Sequence, residues 1–344
     1  MARMLTNRML ILFLSLCVAA SHVAKKHKHY DVKKLELSKD SKLWVGKTVT
    51  IMSFNTWNMA KGIVDGLNKI AKHILINNPD IVGLQEVRHH DEIRQVTESL
   101  NKNDTQTWSY VYVPGEDTGI ITRHTINVSS ISNLTAGIGA QILLDNKRKI
   151  TLYSMHLDYT LYGPYALAFR TFNNLSVVDH AECHPGYCRC SNIKELVTSE
   201  HFKAALARSK TEPLFVVGDF NAPSHLDYTQ ETLPRRGFVY NWPATFILQN
   251  ASGLVDSFRE LYPDPVKYPG ESWSTVNEFH TFGDWEYVIP EPQDRIDFIF
   301  YKSSGLKTVA SGRYAGDFKP YPADPSLNDW PSDHYAYVST FKGF

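Results

Sequence analysis

Several short apolar runs in this chain each end in an acidic or amide side chain. The runs that end at Asn55, Glu86 and Asp219 are rich in β-branched residues, and Asn221 lies two positions after Asp219. Runs of this kind predict buried strands. Strand ends meet at one edge of a layered α/β fold. We therefore expect these side chains to share one site with Asp297, which lies at another predicted strand.

The order of the predicted elements indicates a mixed sheet. Apolar periodicity predicts strands at 48–55, 81–86, 109–113, 119–122, 140–144, 150–156, 214–219 and 295–300, with helices at 63–76, 91–100 and 195–208. Residues 157–192 predict a long, irregular and aromatic insertion. No repeat or linker divides the rest, so we expect a single α/β domain over residues 47–344.

Composition limits the classes of partner. With 344 residues, of which 43% are hydrophobic, the chain can bury a large core. The formal charge is zero and the pI is about 7.2. There is therefore no strong electrostatic footprint for a nucleic-acid backbone. We expect a monomer.

The N-terminus has the pattern of a secretory signal peptide. Arg3 and Arg8 precede an apolar run over residues 9–20 that ends in small residues. This order favours a peptide cleaved after Ala20, or after Ala24, over an uncleaved anchor or a buried helix. Residues 21–46 then form a basic, His-rich arm that we expect to be solvated. The mature protein is predicted to be extracellular, without a transmembrane segment.

Glycosylation signals and cysteines agree with export. Five Asn-x-Ser/Thr sequons begin at Asn103, Asn127, Asn133, Asn174 and Asn250. Outside the signal peptide, the cysteines are Cys183, Cys188 and Cys190. One local disulfide and one remaining thiol are expected, with the pairing open. The nearby His180 and His184 permit a zinc site, but their spacing matches no common one.

The residues at the strand ends suit metal-assisted hydrolysis. Mg²⁺ takes oxygen ligands, usually one or two protein carboxylates together with water and substrate phosphate. Glu86 and Asn55 meet that need, and Asp219 and Asn221 can address water and phosphate oxygen. The two remaining functional candidates are His156 and His334.

Taken together, these motifs resemble the endonuclease/exonuclease/phosphatase superfamily, including pancreatic deoxyribonuclease and the bacterial sphingomyelinases. The resemblance extends from about Ser53 to His334 in the family's order. It is carried by Ser53-Phe54-Asn55-Thr56-Trp57, Asp80-Ile81-Val82-Gly83-Leu84-Gln85-Glu86, Gly119-Ile120-Ile121-Thr122-Arg123, Tyr153-Ser154-Met155-His156-Leu157, Gly218-Asp219-Phe220-Asn221, Arg295-Ile296-Asp297-Phe298-Ile299 and Ser332-Asp333-His334.

The resemblance implies a four-layer α/β sandwich of two mixed sheets with helices outside, and a bound Mg²⁺, or Mn²⁺ in its place. Glu86 would be the principal metal ligand with Asn55 beside it, and Asp333 would support the metal or the water network.

It also implies roles for the other site residues. Asp219 would position or deprotonate the attacking water, and Asn221 would hold the phosphate. His334, oriented by Asp297, would face the scissile phosphate, and His156 occupies the position of the second histidine. The implied reaction is direct attack of water on a phosphoester, with histidine acid–base assistance.

The substrate is less constrained than the chemistry. The insertion beside His156 offers Tyr159 and Tyr162, which could stack on a base, surround a choline-like cation or pack the loop, and Arg170 as a phosphate contact or a surface ion pair. We expect a small or lipid-derived phosphoester, with a secreted deoxyribonuclease-type endonuclease as the alternative. A non-catalytic binding protein that retains the fold is the alternative from another class.

Overall fold

The strand that ends at Asn55 lies within the first of two six-stranded sheets. A computed structural model describes residues 48–144, 148–169, 175–281, 288–317 and 324–343. In this sheet β1 and β2 are parallel, and the other neighbours are antiparallel. The strands, in spatial order, are β13 (Lys307–Tyr314), β14 (Ala336–Lys342), β1 (Thr48–Asn55), β2 (Ile81–Gln85), β4 (Thr118–Thr122) and β3 (Ser109–Tyr112).

The second sheet repeats this plan with its own central parallel pair. Strands β7 and β8 are parallel, and their neighbours are antiparallel. In spatial order its strands are β5 (Thr125–Leu134), β6 (Gly137–Leu143), β7 (Lys149–His156), β8 (Leu214–Asp219), β12 (Asp297–Lys302) and β9 (Val255–Asp256). A separate hairpin pairs β10 (Phe279–Thr281) with β11 (Val288–Pro290).

Helices cover the outer faces of both sheets. The helices are α1 (Gly66–Asn77), α2 (His90–Asn103), α3 (Gly163–Phe169), α4 (Ser176–Cys183), α5 (Arg189–Thr198), α6 (Glu200–Arg208), α7 (Leu233–Arg236), α8 (Pro243–Ser252) and α9 (Ser257–Leu261), and a 3₁₀ turn spans Pro325–Leu327. Helices α1 and α2 pack on the first sheet, whereas α3 to α6 and α8 pack on the second.

The hydrophobic core has three layers of contact because strands are buried on both faces. Ile51 and Ile81 of the first sheet meet Leu152 and Val217 of the second in the central layer. Their neighbours along the strands, such as Phe54, face the helices instead. This alternation explains the almost uninterrupted apolar runs in the sequence. The predicted four-layer α/β sandwich is confirmed.

The two parallel pairs bring their ends to a common edge. Asn55 pairs in register with Gln85 at the ends of β1 and β2. His156 pairs in register with Asp219 at the ends of β7 and β8, and Asp219 also lies opposite Asp297. The edge therefore gathers polar side chains from distant parts of the sequence.

The insertion is more regular than predicted. Instead of irregular chain, it contains α3 and α4, and α5 begins within it. The predicted helix 195–208 is in fact two helices, because Ser199 has extended backbone angles and its hydroxyl accepts a hydrogen bond from the Phe202 N–H at 3.2 Å. Periodicity alone did not reveal this break.

Some predictions concern residues outside the described ranges. These are the signal peptide 1–20, the arm 21–46, the sequon asparagine Asn174 and the candidate phosphate contact Arg170. The described residues themselves include no helix with the length and apolar character needed to cross a bilayer.

The close approach of β7 and β8 depends on one glycine. Gly218 has a φ of 146°, and a Cβ atom there would lie 1.9 Å from the Met155 carbonyl oxygen. A side chain would therefore force apart the two strands whose ends carry His156 and Asp219.

We expect Gly218→Ala to destabilise the protein by about 3 kcal/mol or more, because backbone strain and overpacking add together. The matched control is Gly312→Ala, since a Cβ at that strand position meets nothing within 4 Å. The control should change stability by less than about 0.5 kcal/mol in urea unfolding. Equal stability of the two variants would show that the close approach is not a constraint.

Candidate active site

The carboxylate of Asp219 lies at the centre of the site and is 1% exposed. Asn55 Nδ2 donates to its Oδ2 at 2.9 Å, and the Asn221 backbone N–H donates to its Oδ1 at 2.8 Å. The Nε2 atoms of His156 and His334 lie 3.8 and 3.6 Å from the same Oδ2. Burial raises the pKa of Asp219 to about 6, although both histidine charges act to lower it. A carboxylate poised in this way is suited to proton transfer near neutral pH.

His334 is held by a second buried carboxylate. Its Nδ1 lies 2.9 Å from Oδ2 of Asp297, which leaves Nε2 facing Asp219. Ser272 Oγ accepts the Asp297 backbone N–H at 3.0 Å, and Trp330 Nε1 donates to the His334 carbonyl at 2.6 Å. Burial lowers the pKa of His334, but the charges of Asp297, Asp219 and Asp333 outweigh it and raise the pKa well above its usual value.

His156 is held in the same way by an acid that the sequence analysis missed. Its Nδ1 lies 2.6 Å from Oδ2 of Asp117. Burial lowers the pKa of His156, but the charges of Asp117, Asp219 and Glu86 raise it to about 9. Asp117 immediately precedes β4, which is antiparallel to β2. The start of an antiparallel neighbour lies at the same edge as the end of β2, so its position was a usable signal.

Glu86 extends from the end of β2 in a left-handed backbone conformation, with φ of 63°. Its side chain is 15% exposed, and Arg88 Nη2 lies 3.6 Å from its Oε2. The Asn58 N–H donates to Oε2 at 2.7 Å, and Asn55 Nδ2 donates to Oε1 at 3.2 Å. Of the two carboxylates bonded to Asn55, Glu86 is therefore more accessible to solvent than Asp219.

A left-handed turn over Trp57–Ala60 supplies two of the backbone N–H donors that hold Asn55 and Glu86. All of its residues have φ between 47° and 56°. Left-handed helical geometry costs about 1–2 kcal/mol per L-residue. The turn points the Asn58 N–H at Glu86 and the Trp57 N–H at Asn55. Strain of this kind is typical of functional sites.

The Asn55 side chain links the two sheets. Its Oδ1 accepts the Trp57 N–H at 3.0 Å, while its Nδ2 donates to Glu86 and Asp219. The side-chain oxygen thus accepts one of the two bonds open to it, and the role of Asn55 as a metal ligand stays a prediction. In this structure Asn55 is a donor that bridges two carboxylates from different sheets.

Asn221 and Asp333 lie at the same edge. Asn221 has φ of 47°, and its Nδ2 donates to the Leu157 carbonyl at 3.0 Å. Asp333 Oδ2 accepts from Trp273 Nε1 at 3.1 Å, and its Oδ1 lies 3.9 Å from His334 Nε2. Burial raises the pKa of Asp333. The structure thus brings both residues to the site, and their chemical roles stay predictions.

The donor set fits a hard divalent cation. Asp219, Asp297 and His334 place one side-chain nitrogen or oxygen atom each within 4.8 Å of one another, although His334 Nδ1 is already bonded to Asp297. Oδ1 of Asp297 and Oδ1 of Asp333 are buried and lack a hydrogen-bond partner. The site's carboxylates, Glu86, Asp117, Asp219, Asp297 and Asp333, outnumber its cationic groups, His156, His334 and Arg88. Oxygen-rich, acidic sites of this kind suit Mg²⁺ or Mn²⁺.

The predicted substrate-binding tyrosines differ in position. Tyr159 is 72% exposed and has no described contact with the site. The Tyr162 hydroxyl donates to Asp294 at 3.3 Å, and its ring packs at 83° against Trp273. The Trp273 ring centroid lies 6.2 Å from that of His334, so Tyr162 borders the site through Trp273.

A buried ion pair fixes the loop that follows His156. Arg189 and Glu182 are fully buried, and Arg189 Nε donates to Glu182 at 3.0 Å. The guanidinium also donates to the carbonyls of Asp158, Thr160 and Leu161 at 2.7–2.8 Å. Sequence patterns did not reveal this anchor, because three of the groups that bind Arg189 are backbone oxygens.

A disulfide encloses the same ion pair. It joins Cys183 and Cys190, the residues directly after Glu182 and Arg189. Cys188 is the remaining thiol and is buried at the start of α5. The expected combination of one local disulfide and one remaining thiol is therefore present, with its pairing now defined.

Comparison with known proteins assigns the chain to a family. The sequence profile of the Endonuclease/Exonuclease/phosphatase family matches residues 52–334. The uncharacterised protein F14F9.5 of Caenorhabditis elegans is 39% identical over 297 residues, which cover 85% of this chain and 91% of the relative.

Solved structures share the fold. The human Nocturnin catalytic domain with bound sulfate aligns with a TM-score of 0.54 at 16% identity, over 87% of this chain and 94% of that one. Truncated TDP2 from Caenorhabditis elegans aligns with a TM-score of 0.51 at 16% identity, over 86% and 98% of the two chains. Identities this low support the shared fold and nothing finer.

We expect Asp117→Asn to lower the pKa of His156 by about one unit or more, because it removes the carboxylate charge that stabilises the imidazolium. The measurement is a histidine NMR titration in EDTA. His334 is the internal control, since its own partner Asp297 is unchanged. An unaltered His156 titration would contradict the assigned pairing.

We expect Arg189→Met to destabilise the protein by about 3–5 kcal/mol, because it leaves the buried Glu182 carboxylate without its cation. The double variant Arg189→Met/Glu182→Leu should recover at least half of this loss in urea unfolding. If the double variant were no more stable than the single one, the loss would come from the carbonyl contacts rather than from the unpaired charge.

Proposed function

This chain belongs to the endonuclease/exonuclease/phosphatase family, whose members hydrolyse phosphoester bonds, and we propose that it is a secreted, divalent-metal-dependent phosphoesterase. The observation that carries the proposal is the convergence of two histidines, each held by its own carboxylate, on the buried Asp219. The substrate that we propose is a small or lipid-derived phosphoester rather than duplex DNA.

Asp219 is the group that orients water and receives its proton. Its pKa of about 6 leaves it ionised at neutral pH yet basic enough to take part in proton transfer. Asn55 and the Asn221 N–H hold the carboxylate in one orientation. Glu86, with Asp333 nearby, would hold a divalent cation, which would supply charge neutralisation at the phosphate oxygens.

The two histidines then act on the phosphate oxygens and on the leaving group. His334 is cationic and faces Asp219, so it can donate to a phosphate oxygen as negative charge develops. His156 is also protonated at neutral pH because its pKa is about 9, and it can donate its Nε2 proton to the leaving oxygen. In both cases the Nδ1 partner fixes the ring, and Nε2 is the atom directed into the site.

The proposed substrate class rests on charge. The chain has equal numbers of acidic and basic residues, and the site itself is rich in carboxylates. Binding to a nucleic-acid backbone depends on the release of counterions by clustered Lys and Arg. A deoxyribonuclease-type activity is the second candidate, because the paired acid–histidine arrangement serves phosphodiesters of any origin.

We also propose that the protein is exported. The N-terminal sequence pattern and the disulfide of the insertion support this proposal. The Cys183–Cys190 disulfide suits an oxidising compartment. The sequon asparagines Asn103, Asn133 and Asn250 are exposed, whereas Asn127 is half-buried and bonded to Gln141. We therefore propose glycosylation at the exposed positions.

We expect metal-dependent hydrolysis of bis(p-nitrophenyl) phosphate that is abolished by EDTA and restored by Mg²⁺ or Mn²⁺. Glu86→Ala and His334→Ala should each lower turnover at least about a hundredfold, since each removes a group that stabilises charge in the transition state. The assay uses protein collected from the medium of secreting cells.

The control is Glu98→Ala, which removes an exposed carboxylate paired with Arg94 on α2. It should retain full activity. Near-wild-type activity of either site variant, with the melting temperature unchanged, would reject the catalytic assignment. Retention of the protein inside the cells would reject export alone. A panel that includes DNA and RNA separates the proposed substrate class from the nuclease alternative.

A further inference from the structure

A buried carboxylate outside the catalytic group has no Lys or Arg partner among the described residues. Glu291 follows β11 and is 4% exposed, and its Oε1 has no hydrogen-bond partner. His280 Nδ1 lies 3.7 Å from the other oxygen, but burial lowers the pKa of His280 and so disfavours the charged ring. Burial raises the pKa of Glu291 to about 7. Burying a carboxylate without a compensating charge is costly.

The neighbouring carboxylate shows the ordinary solution to this cost. Asp294 Oδ1 accepts from Arg236 Nη1 at 2.8 Å and from the Tyr228 hydroxyl at 2.9 Å. The Tyr162 hydroxyl donates to its Oδ2. Asp294 is thus paired with a cation inside the protein, whereas the described partners of Glu291 are the Tyr165 side chain and the His280 ring.

Aromatic rings connect Glu291 to the catalytic site. The Tyr165 ring stacks on His280 at 3.7 Å between centroids and packs against Tyr162 at 5.0 Å. Both tyrosine rings lie within 6.5 Å of Trp273, and Trp273 lies beside His334 and bonds to Asp333. We call Tyr162, Tyr165, Trp273 and His280 the aromatic wall. All of its members are partly exposed.

Three carboxylates act on this wall, and one of them, Asp294, is paired with Arg236. Burial raises the pKa of the Tyr165 phenol, and the charges of Glu291, Asp294 and Asp333 raise it further. Aromatic faces in a negative field attract cations, and quaternary ammonium groups most typically, because their charge is weakly hydrated.

We propose that the aromatic wall with Glu291 is a subsite for an organic ammonium group carried by the alcohol portion of the phosphoester. The phosphate would lie at His334, and the ammonium group would rest on the rings. Glu291 would act on it through the poorly screened interior. This inference rests on the proposed phosphoesterase function, and it narrows the substrate to esters of cationic alcohols.

The test compares two esters of the same shape. One is p-nitrophenyl phosphorylcholine, and the other is p-nitrophenyl 3,3-dimethylbutyl phosphate, which replaces the ammonium nitrogen by carbon. With Mg²⁺ present, we expect kcat/KM for the choline ester to exceed that for the neutral ester at least tenfold, mainly through KM. Glu291→Gln and Tyr165→Leu should each reduce this ratio at least fivefold.

The matched control is Glu278→Gln. Glu278 is exposed, and its carbonyl accepts the Glu291 N–H at 3.0 Å, so the substitution removes a nearby charge without touching the wall. Its ratio should equal that of the wild type. A wild-type ratio near one, or a ratio unchanged by Glu291→Gln, would overturn the proposal. If Glu291→Gln fails to fold, Tyr165→Leu and the comparison of the two esters still test the subsite.

Two further arms separate the possible failures. Calorimetry with phosphocholine and with 3,3-dimethylbutyl phosphate tests the subsite without turnover, so a preference for phosphocholine supports it even if neither ester is hydrolysed. Hydrolysis of the neutral ester alone would support the phosphoesterase function and reject the subsite. A higher kcat/KM for p-nitrophenyl thymidine monophosphate than for the choline ester would favour base stacking. That result would also reject the ammonium subsite.

A last comparison identifies the source of the cation. Glycerophosphocholine presents it on a soluble ester, and a phosphocholine lipid in vesicles presents it at a membrane surface. Preferential hydrolysis of either supports the subsite. The subsite is contradicted if the enzyme hydrolyses neither of these substrates and hydrolyses the aryl choline ester no faster than the neutral aryl ester.

Discussion

The burial of the Asp219 carboxylate is the constraint on which the site depends. A carboxylate at 1% exposure is stable only with partners, and its partners come from three other parts of the fold. Asn55 reaches it from the first sheet, His156 from the parallel neighbour β7, and His334 from the segment before β14. The two sheets must therefore pack in one register for this charge to be compensated.

The same requirement extends outward from the centre. Each histidine faces Asp219 through Nε2 because Nδ1 is held by its own acid, Asp117 or Asp297. The protein thereby stabilises two imidazolium rings beside one carboxylate, a distribution of charge suited to a phosphate with a bound cation. The left-handed backbone at Glu86 and over Trp57–Ala60 is the conformational cost of placing donors around the remaining carboxylate.

Sequence reasoning found the residues that end strands, because a buried strand has a clear apolar pattern and its last residue marks the edge of the sheet. Asn55, Glu86 and Asp219 were found in this way, whereas the role of His156 came from the family resemblance. It missed Asp117, which precedes a strand, and the Glu182–Arg189 anchor, whose bonds to backbone carbonyls leave no pattern. Nor could it give the orientation of the Asn55 amide, which depends on the Trp57 N–H and two carboxylates. The helices of the insertion were missed because short helices held by tertiary contacts have weak periodicity.

We expect water that is activated at Asp219 to attack phosphorus directly, without a covalent enzyme intermediate. The most direct measurement is the stereochemical course of hydrolysis of a chiral aryl phosphorothioate diester in H₂¹⁸O. Direct attack predicts inversion at phosphorus with one ¹⁸O atom from solvent in the product. Retention of configuration would require two displacements, with His156 or His334 as a nucleophile, and would contradict the account.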